Sequence, residues 1–215
     1  MVELKNQEDL FKIIGDRLNN KIECFVIGGS AMMYYGAKDG TKDIDLVFIK
    51  EADRDAFVNV LIRMGYKEKN SILLYSKKRN APLLLEFDGS RFDLFLNTVV
   101  SFKLTQGVKE RIKKIIEHKN LIIKVASPED ILLMKCATER AGDRLDAKGL
   151  IEKCKFDWGI IIDESTTQIE FGNRTYPLFL YGFLMELKED LKVDLPGAIL
   201  EKIEKMIEEK LLNKS

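Results

Sequence analysis

The chain has 215 residues, which suits one compact domain or two small ones. Apolar residues make up 46% of it, enough for a sizeable core, and its 35 Lys and Arg residues balance its 35 Asp and Glu residues. Proteins that bind nucleic-acid phosphates usually carry a basic excess, so this balance argues against a dedicated nucleic-acid coat protein or repressor and allows only a local basic patch.

The N-terminal segment predicts an amphipathic helix rather than an export signal. Leu10, Ile13, Ile14 and Leu18 recur at helical spacing, and the segment lacks a basic start followed by a long apolar run. No apolar stretch approaches the ~20 residues that a membrane helix requires. Three widely spaced cysteines predict reduced thiols, so we expect a cytoplasmic protein without a membrane segment.

The first half of the chain alternates between strands and helices. Short runs rich in β-branched residues predict strands, and apolar residues three or four positions apart predict helices. The predicted elements are a strand at 22–27, a helix at 30–35, a strand at 43–49, a helix at 52–64 and strands at 72–75, 83–87 and 92–96. Asp88-Gly89 predicts a hairpin turn between the last two strands. This order indicates a mixed α/β sheet with helices packed on it.

A basic segment follows. Residues 106–118 predict a helix with Lys109, Arg111, Lys113 and Lys114 on it. A solvated face is the favoured interpretation, and an RNA-facing patch is the sharper alternative.

The second half is predicted to be mainly helical. Residues 121–125 predict a short strand or extended link, and Ser127-Pro128 predicts the start of a helix, with serine as cap and proline at the first helical position. We therefore expect a core at residues 1–101 and a helical C-terminal domain at residues 102–215, with the active site in the cleft between them.

The most informative segment is Asp43-Ile44-Asp45-Leu46-Val47. Alternate side chains of a strand share a face, so Asp43 and Asp45 point the same way while Ile44 and Leu46 point into the core. Adjacent carboxylates repel each other unless a cation neutralises them, and Mg²⁺ binds carboxylate oxygens together with substrate phosphates. The pair therefore predicts a magnesium site for a phosphorylated substrate.

The turn before this strand adds a phosphate-binding element. Gly28 and Gly29 allow a ligand to approach the backbone closely, and Ser30 opens a helix whose free N–H groups favour an anion. Turn, short helix and carboxylate pair lie within about twenty residues, which suits a nucleoside triphosphate and its metal.

A third carboxylate would complete a two-metal site, and Asp93 is the favoured candidate. Asp93 lies on the polar face of the predicted strand at 92–96 and joins Asp43 if the two strands are neighbours. Two metal ions about 4 Å apart could then stabilise the attacking and leaving oxygens, and Asp93 could accept the proton of the attacking hydroxyl. Glu86 and Asp88 compete for this role, although Asp88 fits a turn and Glu86 the polar face of its strand.

Turn and carboxylates together resemble a known superfamily. Residues 25–48, FVIGGSAMMYYGAKDGTKDIDLVF, are similar to the DNA polymerase β-like nucleotidyltransferases, which combine Gly-Gly or Gly-Ser, about ten residues and Asp-x-Asp on a strand. The segments GTKDIDL and SPEDILLMKCATERAGDRLD resemble its abortive-infection-type (AbiEii-like toxin) branch, found in bacterial and archaeal toxin–antitoxin systems.

The resemblance implies roles for particular residues. Those implied in metal binding and catalysis are Asp43, Asp45 and Asp93, and those implied in nucleotide binding are Gly28, Gly29, Ser30 and Lys135. The alternative for Lys135 is a surface lysine on an apolar helix, and Asp143 and Asp146, near a later acidic motif of that branch, could simply begin a helix. One departure is Asp39, which stands beside Lys38 where relatives often carry an arginine.

The resemblance implies a fold and an activity. The fold is α/β, a mixed-sheet nucleotidyltransferase core followed by a mainly helical domain. The activity is metal-dependent transfer of a nucleotidyl group from an NTP to a hydroxyl acceptor, RNA or protein, with two Mg²⁺ ions and, for a toxin, an antitoxin partner. The alternative is a non-catalytic nucleotide-binding or partner-docking protein with the same fold, which convergence of Asp43, Asp45 and Asp93 would argue against.

Overall fold

A computed structural model describes residues 1–70, 80–138, 140 and 142–212. The strands are β1 (Val2–Glu3), β2 (Ile22–Val26), β3 (Gly40–Thr41), β4 (Asp43–Phe48), β5 (Lys67–Lys69), β6 (Leu83–Phe87), β7 (Ser90–Leu96), β8 (Thr98–Val99), β9 (Phe102–Lys103), β10 (Lys114–His118) and β11 (Leu121–Val125). The α-helices are α1 (Leu4–Arg17), α2 (Gly28–Met32), α3 (Glu51–Arg63), α4 (Gln106–Glu110), α5 (Pro128–Thr138), α6 (Asp143–Lys153), α7 (Trp158–Glu170), α8 (Tyr176–Glu189) and α9 (Gly197–Ile207).

A mixed sheet forms the centre of the fold. Its strands run in the order β10-β11-β2-β4-β7-β6-β5, with β8 and β9 attached beside the end of β7. The pairs β11–β2 and β4–β7 are parallel, and the other neighbours are antiparallel. A separate two-stranded sheet joins β1 to β3. The predicted α/β mixed-sheet fold is therefore confirmed.

The two faces of the central strands differ in chemistry. On one face, Phe48 of β4 and Phe92 of β7 contact Phe57 of α3, with ring centroids 5.4 and 5.6 Å apart. All three rings are fully buried, so this face fastens α3 to the sheet through the burial of apolar surface. Because side chains alternate along a strand, the residues of β4 and β7 that lie an odd number of positions from these phenylalanines point to the opposite face, and Asp43, Asp45 and Asp93 are among them.

Most of the elements predicted for the first half are confirmed. Strands β2, β4, β6 and β7 and helices α1 and α3 lie at the predicted places, and the predicted helix at 30–35 forms as α2 followed by a single 3₁₀ turn. Asp88 and Gly89, with φ of 45° and 74°, make the predicted hairpin between β6 and β7. The predicted strand at 72–75 lies outside the described residues.

The predicted basic helix at 106–118 is wrong beyond its first turns. Helix α4 ends at Glu110, and Lys114–His118 instead form strand β10, which pairs along its whole length with β11. Lys119, at φ of 52°, turns the chain between the two strands. Pairing with β11 decided the structure here, since Ile115 and Ile116 are β-branched and suit an edge strand better than a short solvated helix.

The C-terminal part is mainly helical, as predicted, with α5 starting at Pro128 and α8 carrying Pro177 in its first turn. Strands β10 and β11, which follow residue 102, belong to the central sheet, and the division at residues 101 and 102 stays a prediction. Among the residues that the structure describes, none of the helices has both the length and the apolar character needed to cross a bilayer.

Candidate active site

Strands β4 and β7 bring three carboxylates together. Their parallel register places Asp45 opposite Asp93 and Asp43 opposite Arg91. One carboxylate oxygen from each of Asp43, Asp45 and Asp93 lies within 4.8 Å of the others. We call these residues the acidic triad. Its members converge because i and i+2 on one strand share a face and the neighbouring strand adds a residue in register.

The side chain of Arg91 lies against two carboxylates of the acidic triad. Its Nε donates a hydrogen bond to Asp93 Oδ1 at 2.7 Å, and its guanidinium also forms an ion pair with the Asp43 carboxylate. Asp93 is fully buried, whereas Arg91 retains about a fifth of its side-chain exposure. The arginine therefore joins the two strands through charge-assisted hydrogen bonds and faces the adjacent cleft.

The surroundings of Asp45 disfavour its ionised form. Burial raises the pKa of the Asp45 carboxyl well above its usual range, and the nearby charges of Asp93 and Asp43 raise it further. Arg140 and Lys135 act in the opposite direction with smaller effect. A bound cation would relieve this repulsion, since opposite charge favours the ionised carboxylate.

The glycine turn contacts the triad directly. Gly28 has φ of +57°, and a Cβ placed on it would lie 2.4 Å from Asp45 Oδ2. The position therefore requires glycine both for its left-handed backbone and for the space that the carboxylate occupies. Ser30 is fully buried, and its hydroxyl donates to the backbone carbonyl of Asp43 at 3.1 Å. This hydrogen bond fastens the turn to β4.

A cleft of about 560 Å³ opens beside the triad. Its walls come from the glycine turn, β3, β4, β7, α5 and the start of α6, so they include residues on both sides of position 102. The charged side chains that line it are Lys38, Lys42, Asp43, Asp45, Arg91, Lys135, Arg140, Asp143 and Asp146. A cavity of this size with convergent charged groups suits a small charged ligand.

Lys135 is part of an ion-pair cluster on the cleft wall. It is buried, and its Nζ lies 3.2 Å from Asp143 Oδ1 and 2.6 Å from Asp146 Oδ2. Lys38 Nζ reaches the same Asp146 carboxylate at 2.7 Å. The alternative of a snorkelling surface lysine is therefore wrong for Lys135. Asp143 begins α6 and also accepts hydrogen bonds from Thr138 Oγ1 and the Arg140 backbone N–H.

The competing acids are not members of the carboxylate cluster, although Glu86 lies opposite Arg91 in the β6–β7 register. Glu86 is half-buried and lies 3.8 Å from Lys69 across the β5–β6 pair, and Asp88 is part of the hairpin turn. Arg91 is a site residue that was not predicted from the sequence, although it lies two residues before Asp93 and therefore shares its strand face. That alternation was the signal that could have found it.

The donor set of the triad fits a hard divalent cation. Asp43, Asp45 and Asp93 offer only carboxylate oxygens, the ligands that Mg²⁺ and Mn²⁺ prefer. The raised pKa of Asp45 fits as well, because burial and the charges of Asp93 and Asp43 disfavour its ionised form, which a bound cation would favour. The arrangement can therefore hold a metal ion next to a cleft that accepts a charged ligand.

Comparison with known proteins identifies one family. A model described as "Nucleotidyltransferase of unknown function (DUF6036)" matches residues 4–175, which include the whole acidic triad and Lys135. No curated protein is similar enough in sequence to match the chain.

Several solved structures align with the chain at low identity. The solution structure of the antibiotic-resistance factor ANT(2'')-Ia is 15% identical, and the alignment covers 86% of this chain and 94% of that one with a TM-score of 0.45. ANT(2'')-Ia in complex with adenylyl-2''-tobramycin is 16% identical, with coverage of 84% and 98% and a TM-score of 0.45. An antigenic nucleotidyltransferase-like protein from Paracoccidioides brasiliensis is 14% identical, with coverage of 93% and 98% and a TM-score of 0.47.

Proposed function

The chain belongs to the nucleotidyltransferase family DUF6036, and on this premise we propose that it transfers a nucleotidyl group from an NTP to a hydroxyl acceptor on RNA or protein. The observation that carries the proposal is the convergence of Asp43, Asp45 and Asp93 within 4.8 Å beside a cleft. Convergence supports an enzyme over a non-catalytic protein of the same fold, because three carboxylates beside a cleft can hold the divalent metal that neutralises a triphosphate during transfer.

The proposed reaction is a displacement at the α-phosphorus. The acceptor oxygen forms a bond to this phosphorus, the bond to the bridging oxygen of the β-phosphate breaks, and pyrophosphate leaves with the electron pair. A triad carboxylate accepts the proton of the acceptor hydroxyl in this proposal. Asp93 is the favoured residue, because its strand β7 lies beside β4, which carries Asp43 and Asp45. In such transfers the protein contributes mainly position and charge stabilisation.

Divalent metal is the proposed cofactor. Asp43, Asp45 and Asp93 would hold it, and the resemblance to polymerase β-like enzymes implies two Mg²⁺ ions. When bound, the metal would neutralise charge on the triphosphate as the bond to pyrophosphate breaks. The protein's own residues align the carboxylates through the β4–β7 register.

Nucleotide binding is assigned to two sides of the cleft. The turn at Gly28, Gly29 and Ser30 lies against Asp45, so backbone there can approach a phosphate next to the metal site. On the other wall, Lys135 and Lys38 offer ammonium groups that now pair with Asp146. Because both lysines share the single charge of Asp146, they can form stronger ion pairs with a more highly charged triphosphate.

The test is transfer of label from each α-³²P-labelled NTP in the presence of Mg²⁺ to RNA and protein acceptors. We expect a labelled acceptor with the wild type and none with the double variant Asp43→Ala, Asp45→Ala. Glu86→Gln is the matched control, because it removes a half-buried acid outside the triad from the adjacent strand β6. Equal labelling by wild type and double variant would overturn the proposal, and NTP binding without any transfer would favour the non-catalytic alternative.

A more specific proposal is that the protein is a toxin with an antitoxin partner. It rests on the resemblance to the abortive-infection-type branch. Induced expression of the wild type should then arrest growth, and the Asp43→Ala, Asp45→Ala variant should not. Co-expression of an adjacent gene should relieve the arrest. Normal growth at high expression of active protein would contradict this role and leave nucleotidyl transfer intact.

A further inference from the structure

Arg91 lies beside the acidic triad, and neither family membership nor the proposed reaction gives it a role. It lies on β7, opposite Asp43 in the register and two positions before Asp93, so its side chain shares the face of both acids. The backbone therefore directs a guanidinium into the same space as the carboxylates.

Arg91 contacts Asp93 and Asp43 of the acidic triad. Nε lies 2.7 Å from Asp93 Oδ1, Nη2 lies 3.3 Å from Asp93 Oδ2, and Nη2 also pairs with Asp43 Oδ2. Both oxygens of Asp93 and one oxygen of Asp43 thus accept hydrogen bonds from one planar group. These oxygens belong to the same carboxylates that form the candidate metal site.

A guanidinium and a divalent cation are competitors at such a site. Both stabilise a carboxylate by opposite charge, and they repel each other at short distance in a partly buried environment. Arg91 is only partly buried and lines the cleft, so its side chain has open space into which it can move. Arginine also remains protonated at any physiological pH, so deprotonation cannot remove the competition.

We infer that Arg91 is a built-in counter-ion of the acidic triad, which holds Asp43 and Asp93 in place in the metal-free protein and which divalent metal must displace into the cleft. Arg91 is then a positioning residue with two effects. It stabilises the metal-free fold by neutralising two carboxylates, and it weakens metal binding in the absence of nucleotide. This inference rests on the proposed function in one respect: it requires that the acidic triad binds a divalent metal.

The experiment measures Mn²⁺ binding to the full chain without nucleotide, through the electron paramagnetic resonance signal of free Mn²⁺. We expect Arg91→Gln to bind Mn²⁺ about tenfold more tightly than the wild type, since a neutral amide no longer competes for the oxygens. In EDTA, Arg91→Gln should melt at a lower temperature than the wild type, and Mn²⁺ should raise its melting temperature by the larger amount. If Arg91→Gln only disrupted the fold, it would bind Mn²⁺ more weakly than the wild type. Tighter binding therefore distinguishes the loss of a competing charge from a loss of structure.

Arg144→Gln is the matched control, because Arg144 makes a comparable ion pair with Glu186 on α8. Its Mn²⁺ affinity should equal that of the wild type. Arg91→Lys, which keeps the charge but lacks the forked donors, should bind Mn²⁺ with intermediate affinity, and it decides the matter if Arg91→Gln does not fold. Unchanged or weaker Mn²⁺ binding by folded Arg91 variants would overturn the inference.

The outcomes also separate this inference from the proposed function. Mn²⁺ binding that Asp45→Asn abolishes, together with tighter binding by Arg91→Gln but no nucleotidyl transfer, would remove the function and keep the inference. Transfer activity with no tightening in Arg91→Gln would remove the inference alone. A wild type and Arg91 variants that all fail to bind Mn²⁺ would overturn both.

Discussion

The acidic triad and a second cluster of carboxylates are each contacted by an arginine, and they differ in which other donors the protein supplies. In the acidic triad, Arg91 contacts Asp43 and Asp93 on neighbouring strands. In the second cluster, Arg111 contacts Asp130 of α5 and Glu164 of α7, each through an oxygen 2.6 Å from Nη2. We call the second cluster the buried network.

Protein donors surround the carboxylates of the buried network. Ser127 Oγ donates to Asp130 Oδ2 at 2.7 Å, and Thr105 Oγ1 donates to Glu164 Oε1 at 2.8 Å. Burial raises the pKa of Asp130, and the hydrogen bonds and charge of Arg111 offset part of that rise. Burial also disfavours the charged form of Arg111, yet its contacts with Asp130 and Glu164 raise its pKa overall.

The contrast shows what distinguishes a structural cluster from a candidate site. The buried network joins the segment after β9 to two C-terminal helices and has hydroxyl and guanidinium donors on both acids. The acidic triad has three carboxylates, faces a cleft, and leaves Asp45 with a strongly raised pKa. A carboxyl with a strongly raised pKa beside an open cleft is typical of ligand-binding and catalytic sites.

The largest expected effect is a loss of transfer activity, caused by a substitution that alters the acidic triad and leaves the fold intact. Asp93→Asn should lower nucleotidyl transfer by about a thousandfold, because it removes one of the charges that hold metal and substrate. Its unfolding free energy should change little, since relief of repulsion within the triad opposes the weaker contact with Arg91. The measurements are transfer rate and urea denaturation, with Glu86→Gln as control. A variant that transfers at near wild-type rate would exclude Asp93 from the site.

The buried network should show the opposite pattern. Arg111→Met should lower the unfolding free energy by about 3 kcal/mol or more, because it leaves two buried carboxylates without their cation. Transfer per folded molecule should stay unchanged. Lys21→Met is the control, since Lys21 forms an exposed pair with Glu117 that contributes ~1 kcal/mol or less. Urea denaturation measures both, and equal losses in the two variants would remove the proposed distinction between the clusters.

A smaller effect is expected at the glycine turn. Gly28→Ala adds a Cβ that would overlap Asp45, and displacement of a reacting group by about 1 Å can lower a rate about a hundredfold. Gly36→Ala is the matched control, because Gly36 also has positive φ, at +64°, but has no atom within 4 Å of its Cβ position. Both variants should lose about 1–2 kcal/mol of stability from backbone strain. Equal transfer rates in the two variants would show that the turn does not position Asp45.

The smallest effect concerns Asp146 on the cleft wall. Burial favours a higher pKa for this carboxyl, but Lys135 and Lys38 outweigh it and lower the pKa. A lowered folded-state pKa means that ionised Asp146 stabilises the fold above the ordinary aspartate pKa and that this stabilisation is lost as pH falls through the folded-state pKa. Asp146→Asn should therefore be less stable than the wild type at pH 6 by ~1 kcal/mol or less, with the difference shrinking below about pH 4. Urea denaturation across pH measures it, and a difference that grows toward low pH would contradict the sign.

Local pattern was sufficient for much of the candidate site. Asp43 and Asp45 share a face because side chains alternate along any strand, and Gly28-Gly29 predicts a turn without knowledge of its neighbours. The confirmed strands and helices of the first half have strong periodicity and clear turn residues. The segment at 106–118 lacked both, and its lysines and arginines are compatible with either a helix or a strand.

What the sequence by itself determined is therefore the acidic pair, its strand and the turn before it, since these depend on neighbours within a few residues. Only the tertiary structure decided that β7 lies parallel to β4 with Asp93 opposite Asp45, because strand register depends on partners far along the chain. The same holds for the separation of Arg91 and Arg111 into different clusters. Both are arginines in polar segments, and only packing decides which carboxylates each one meets.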